Sequence, residues 1–202
     1  MNILTDAREE ILALMHTLES DPHHVQHVAQ LSLHLFDELG ELHGLGDGDR
    51  LLLEAAACLH DIGHRVDSMG KGHHRESARL IREHSWKHFP PAKVDIIAQV
   101  ARYHRKSLPD LEHEEFAALS PMERIKVQQL ASLLRIADGL DRSHRQHITH
   151  FSAEISPGRI QVHLSARMPV DLEIVSATKK ADLARLVFQR EMSFATHPSL
   201  QP

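Results

Sequence analysis

The sequence predicts a mainly α-helical body over residues 1–144 that carries a small C-terminal α+β appendage over residues 145–202. Three observations predict it. Apolar residues recur at helical spacing through most of the chain up to Leu140, a capping box opens the most apolar stretch, and after Asp141 the pattern changes to strand-like alternation. A chain of 202 residues supports one dominant core with room for such an appendage.

Asp21 followed by Pro22 reads as an N-cap and first helical residue, and Val28, Leu31, Leu35 and Leu39 then recur at helical spacing until Gly40. The first turn of this helix carries His23, His24 and His27. A second helix starts after Gly46-Asp47-Gly48-Asp49 and runs through LLLEAAACLHDIG to a stop at Gly63, which puts His60 and Asp61 in its last turn. The loop RVDSMGKG leads to a helix over roughly 74–88, and Pro90-Pro91 opens another that ends near His104. Ser120-Pro121-Met122-Glu123 joins a capping box to a proline at the first helical position and starts a helix over 121–140. Its stretch LASLLRIADGL is apolar on nearly every side, which predicts a central buried helix in which Arg135 and Asp138 stand out. Beyond it, Phe151, Ala153 and Ile155 alternate, as do Ile160, Val162 and Leu164, around a turn at Ser156-Pro157-Gly158-Arg159. Val170, Leu172 and Ile174 predict a further short strand, and residues 177–192 a final helix.

Composition narrows the function. A net charge of -5 gives no support to a duplex nucleic-acid surface, which would show a basic face. The apolar stretches are broken well before the roughly 20 residues a bilayer span needs, and Asp6, Glu9 and Glu10 replace the basic start of a signal peptide, so no membrane partner and a cytoplasmic location are expected. A homodimer is compatible with the sequence. The single cysteine, Cys58, lies among Ala55, Ala56, Ala57 and Leu59 and reads as a small core residue. The outstanding number is 19 histidines, since neutral imidazole is a metal ligand and a near-neutral proton donor. His16, His34, His43, His84, His88, His113 and His197 read as surface residues.

Adjacent His60 and Asp61 offer an imidazole nitrogen and a carboxylate oxygen, ligands for one or two divalent ions such as Mn, Fe, Mg, Zn, Ni or Co. The pair gains force from its company: His24 one helix upstream, His73-His74 after a glycine loop, His104 at a helix end, and Asp138 inside an apolar helix. An ionised aspartate there costs several kcal/mol unless a cation meets it, and a metal or Arg135 one turn earlier is the candidate. A closed structural metal site would use four cysteine or histidine ligands rather than this mixed set.

The order His24, His60-Asp61, Asp138 resembles the H...HD...D signature of the HD superfamily, metal-dependent phosphohydrolases built on a helical bundle. More closely, HVQHVAQLSLHLFDEL, CLHDIGH, HHRESARLI, VARYHRKSLP and LLRIADGLDRSHRQ resemble the C-terminal half of the exopolyphosphatase/guanosine pentaphosphate phosphatase family, with the likeness running on to LVFQREM. That family's phosphatase site lies in an N-terminal actin-like domain, for which 202 residues leave no room, and the chain has no glycine-rich phosphate loop. The family's own activity is therefore not expected here. A working HD site is expected, because the ligand set is intact where many family members have lost it.

The resemblance implies a metal held by His24, His60, Asp61 and Asp138, with His104 and either His73 or His74 adding a second ion. Asp61 and His64 are the expected catalytic residues, His64 as proton donor to the leaving group. Lys71, Arg75, Arg105, Lys106, Arg142 and Arg145 lie beside the ligand motifs and are the expected clamp on a small phosphorylated substrate, nucleotide or polyphosphorylated. The alternative function is a non-catalytic module that binds a nucleotide or polyphosphate for regulation or dimerisation.

Overall fold

The computed structural model describes residues 3–67 and 71–196, so Ser68, Met69 and Gly70 of the RVDSMGKG loop, and His197, lie outside the described residues. In chain order the elements are α1 (Ile3–Leu18), α2 (Pro22–Glu38), α3 (Gly40–His43), α4 (Asp47–Leu59), α5 (His73–Glu83), α6 (Pro91–Arg102), α7 (Glu114–Ala117), α8 (Pro121–Leu140), β1 (Ile148–Ser156), β2 (Arg159–Ala166), α9 (Asp171–Lys180), α10 (Asp182–Phe188) and β3 (Glu191–Thr196). The protein is mainly α with a small C-terminal α+β part, as its sequence predicts. No helix among the described residues is long and apolar enough to cross a membrane.

Helix α8 is the axis of the fold. Ser120 accepts from the Glu123 N–H and the Glu123 carboxylate accepts from the Ser120 N–H, the reciprocal cap that its sequence announces. From there the helix runs between α2, α4, α6, α9 and α10. Leu130, Leu133, Leu134, Ile136 and Leu140 are all fully buried, and each contributes about 1.5–3 kcal/mol before the entropy of ordering the chain is counted. Cys58 is buried in the same core, which pushes its thiol up to about 12 and leaves it unreactive.

Helix α2 starts as expected, with the Asp21 carboxylate accepting from the His24 N–H at 3.2 Å. It ends at Glu38, and Gly40 opens the separate single turn α3 rather than a loop. That turn buries His43, one of the expected surface histidines: its Nε2 donates to the Phe36 carbonyl at 2.8 Å, and its Nδ1 accepts from the Leu45 N–H at 3.0 Å. A neutral ring with both nitrogens satisfied is at home in a core.

Helix α4 stops at Leu59, before the predicted end, and a 3₁₀ turn, Ile62–Arg65, follows. Gly63 is not a helix stop but a point of close approach. A Cβ there would lie 2.1 Å from the His73 carbonyl oxygen and 2.5 Å from the Ser77 nitrogen, so only glycine lets this turn lie flat on α5. The contact is sealed by the Gly63 N–H donating to Ser77 Oγ at 2.9 Å.

The hairpin forms in the expected register, with Phe151 opposite Leu164 and Ile155 opposite Ile160. The segment after it differs from expectation. Val170, Leu172 and Ile174 form no strand; Asp171–Lys180 is helix α9, α10 follows, and the third strand is β3, parallel to β2 in the order β1-β2-β3. Val170, Ala177 and Ala181 are buried and Ile174 packs beside them, the i, i+4, i+7 and i+11 spacing of one helical face, while Leu172 and Val175 are exposed. Three apolar residues at alternate positions are too short a run to distinguish the two periods. Gly139 lets α9 lie against α8, since a Cβ there would be 2.9 Å from the Ala177 Cα.

Candidate metal centre

Five segments deliver side chains to one buried region. His24 comes from the first turn of α2, His60 and Asp61 from the junction after α4, His73 from the start of α5, His104 from just beyond α6, and Asp138 from the last turn of α8. Asp61 has φ -109° and ψ 0°, the sparsely populated bridge conformation often found at functional sites. Three groups form: His24, His60 and Asp138; His60, Asp61 and His104; Asp61, His64 and His73. Within each group the ligand atoms lie within 4.8 Å of one another. The groups share His60 and Asp61, so they form one continuous cluster. Asp61 Oδ1 lies 3.1 Å from His73 Nε2 and 3.5 Å from His104 Nε2, and His24 Nε2 lies 3.7 Å from Asp138 Oδ1.

The far nitrogens of three rings are already engaged. His60 Nδ1 is 2.7 Å from the Ala57 carbonyl and His104 Nδ1 2.7 Å from the Ala101 carbonyl. A carbonyl only accepts, so each Nδ1 carries the proton and each Nε2 turns a lone pair to the cluster. His24 Nδ1 is held in the same way by the Asp141 carboxylate at 2.8 Å. His24 Nε2 and His60 Nε2 are buried with no hydrogen-bond partner. Such atoms cost about 1–3 kcal/mol each when nothing meets them, and a cation between them would satisfy both. The donor set therefore fits a borderline divalent ion.

Protonation states agree. Burial pulls the Asp61 carboxyl upward, but its interactions with the His60, His73 and His104 rings, a hydrogen bond from His73 among them, outweigh it and hold it well below the usual carboxylate range. Asp138 is lowered as well, because Lys180 and the nearby imidazoles overcome its burial. Burial, assisted by His60, pushes His104 well below the usual histidine range. Ionised carboxylates and a neutral imidazole are the forms that bind metal.

The remaining expected residues divide. His64 is partly exposed, stacks on His73 with centroids 3.7 Å apart, and places Nε2 4.0 Å from Asp61 Oδ1. Of the His73-His74 pair, His73 joins the cluster; His74 is buried outside all three groups, its ring centroid 6.4 Å from that of His104. Arg105 Nη1 reaches His73 Nε2 at 3.3 Å. Arg75 is exposed and lines a pocket with His74. Lys71, Lys106, Arg142 and Arg145 are exposed, and none is brought into hydrogen-bonding contact with the cluster.

Arg135 is not the partner of Asp138. It is buried, grips both oxygens of Asp182 at 2.9 and 2.8 Å, and donates to the Tyr103 carbonyl at 2.8 Å. The cation on Asp138 Oδ2 is Lys180, from the end of α9. Sequence reasoning misses Lys180, which lies in the segment expected to be the final helix, because nothing local pairs it with Asp138 42 positions away. It also misses Asp141, although an aspartate one turn beyond Asp138 on a buried helix is a readable signal. His144 is missed too: it stacks on His24 with centroids 3.7 Å apart and pairs with Asp21 at 2.9 Å.

Comparison with known proteins points the same way as the motifs. The family described as Ppx/GppA phosphatase, domain III, matches residues 8–189. A guanosine-5'-triphosphate,3'-diphosphate pyrophosphatase of Photobacterium profundum is 28% identical over 164 residues, which are 80% of this chain and 31% of that protein. The Vibrio vulnificus protein of the same name is 29% identical over 116 residues, 56% of this chain and 23% of that one. The chain thus matches less than a third of the length of either relative. Because the family match runs from α1 through α10 and takes in every residue of the buried cluster, the chain belongs to the Ppx/GppA phosphatase domain III family.

Proposed function

We propose that this chain is a metal-dependent phosphohydrolase of HD type that cleaves a phosphate ester or anhydride in a small nucleotide or polyphosphorylated substrate. The observation that carries the reading is the buried, partnerless Nε2 pair of His24 and His60 facing ionised carboxylates. His24, His60, Asp61 and Asp138 would hold one divalent ion, and His73 and His104 with Asp61 a second. A bound ion would supply Lewis acidity and neutralise charge developing on a phosphoryl group. Asp61, ionised and central to two of the three groups, would hold the ions and orient an attacking water, whose proton His64 beside it would take. His64, part exposed beside it, would return a proton to the leaving oxygen. The names of the two relatives support a nucleotide bearing several phosphates as the substrate class.

Protein purified without chelator is expected to carry stoichiometric transition metal and, with Mn, to release phosphate or pyrophosphate from a panel of nucleotides, (p)ppGpp and short polyphosphates, with turnover lost to EDTA. Metal and substrate binding without turnover would identify a non-catalytic module instead. Metal-free protein that cannot be loaded would overturn the site.

The Asp141 carboxylate gives a second check. Asp141→Asn preserves shape but weakens the grip on His24 Nδ1, so metal affinity should fall about 10–100-fold in a chelator competition with little change in thermal midpoint. Unchanged affinity would remove Asp141 from the site.

A further inference from the structure

Next to the cluster lies a small pocket lined by His74, Arg75, Arg102, Tyr103, Arg105 and Ser107 among others. His74 is 7% exposed, and its Nδ1 has no hydrogen-bond partner, although an unmet buried polar nitrogen is costly. Three guanidinium groups converge on this pocket, and they are not equivalent. Arg102 is neutralised by Glu115 at 2.6 Å. Arg75 and Arg105 have no carboxylate partner among the described residues, while Arg79 and Arg82, further out along the adjoining groove, are paired with Glu76, Glu83 and Asp95. Uncompensated positive charge is therefore confined to the inner end, beside His74. Arg105 spans the gap: its Nη1 touches His73 of the cluster, and its guanidinium lines the His74 pocket.

We infer that His74, Arg75 and Arg105 form an anion subsite for a second phosphoryl group, joined through an anhydride to the one held at the metal cluster. The inference rests on the proposed phosphohydrolase reading and narrows its substrate class to compounds with a diphosphate or triphosphate group. The His73 and His74 ring centroids are 5.9 Å apart and Arg105 reaches both surroundings, so the two sites are close enough for one short substrate group to meet both. His74 Nδ1–H donates one hydrogen bond, and the two guanidinium groups offer paired donors to the remaining oxygens. Along the outer groove the arginines are paired with carboxylates and offer no free cation to the rest of a long polyanion, so the subsite favours short chains of phosphate.

The test is calorimetric titration of metal-loaded protein with orthophosphate and with methylenediphosphonate, which has two linked phosphoryl groups and cannot be hydrolysed, metal content being rechecked afterwards. The diphosphonate should bind at least about tenfold more tightly, a difference of about 1.4 kcal/mol. Arg75→Ala, an exposed and unpaired position, should remove most of that preference, and His74→Gln should do likewise. Equal affinities in the wild type, or a preference intact in both variants, overturns the subsite. A diphosphonate preference in protein that hydrolyses nothing keeps the subsite and removes the phosphohydrolase reading. Hydrolysis with no such preference does the reverse.

Discussion

Asp61→Ala is expected to abolish stoichiometric metal binding and to lower kcat/KM by about a thousandfold or more, about 4 kcal/mol of transition-state stabilisation, while the fold is retained. Its carboxylate is the one group shared with His60, His64, His73 and His104, so no neighbouring carboxylate can substitute for it. Asp138 is on the far side of His60 and is engaged with Lys180. Packing should be little affected. The side chain fills no apolar space, and the helix before it ends at Leu59 independently of the carboxylate. Metal analysis, steady-state kinetics and a thermal melt on one preparation settle the question. Equal metal content in wild type and variant would sink the assignment of Asp61, and a melt lower than that of the wild type when both are metal-free would make it a structural group.

How far the sequence can be read follows from the range of each signal. Local chemistry is legible: the Asp21-Pro22 start of α2 and the Ser120–Glu123 cap of α8 depend on residues within one turn of each other. The cluster residues are legible as types in order, because imidazole and carboxylate beside helix ends have few other uses. Their assembly is not, since it depends on Gly63 admitting the 3₁₀ turn against α5 and on which of two adjacent histidines faces inward. Ion pairs across long stretches of chain are the least legible. Arg135 with Asp182 and Asp138 with Lys180 span 47 and 42 positions, and although both partners lie in the segment expected to be helical, nothing local shows which of its side chains meet α8. His43 is misread for a related reason: only the return of α3 toward Phe36 gives its ring a buried partner.

Ending the chain after residue 145 is expected to leave a helical but less stable body, because the C-terminal part covers and completes α8 rather than standing beside it. Helices α9 and α10 pack on α8, and the sheet is tied to α2 by the Ala153 N–H donating to Glu38 at 2.7 Å and by Phe151 stacked on His34 with centroids 4.1 Å apart. Truncation leaves Arg135 without Asp182 and Asp138 without Lys180, and exposes apolar surface along α8. Removing the partner of a fully buried charge costs about 3–5 kcal/mol; here Asp182 is 41% exposed and water reaches the uncovered face, so the cost is smaller. A net loss of roughly 3 kcal/mol corresponds to a midpoint lower by roughly 6–12 °C in a protein of this size. The shortened chain should also self-associate through the uncovered face, visible in light scattering after size exclusion. A monomeric truncation that melts with the full chain would show that the C-terminal sheet and helices form a unit of their own. Lys180→Met separates the two roles of the segment: the sheet and helices stay in place and only the Asp138 pair is lost, so the melt should fall by less than on truncation, while metal affinity changes because Asp138 loses the ammonium that orients it.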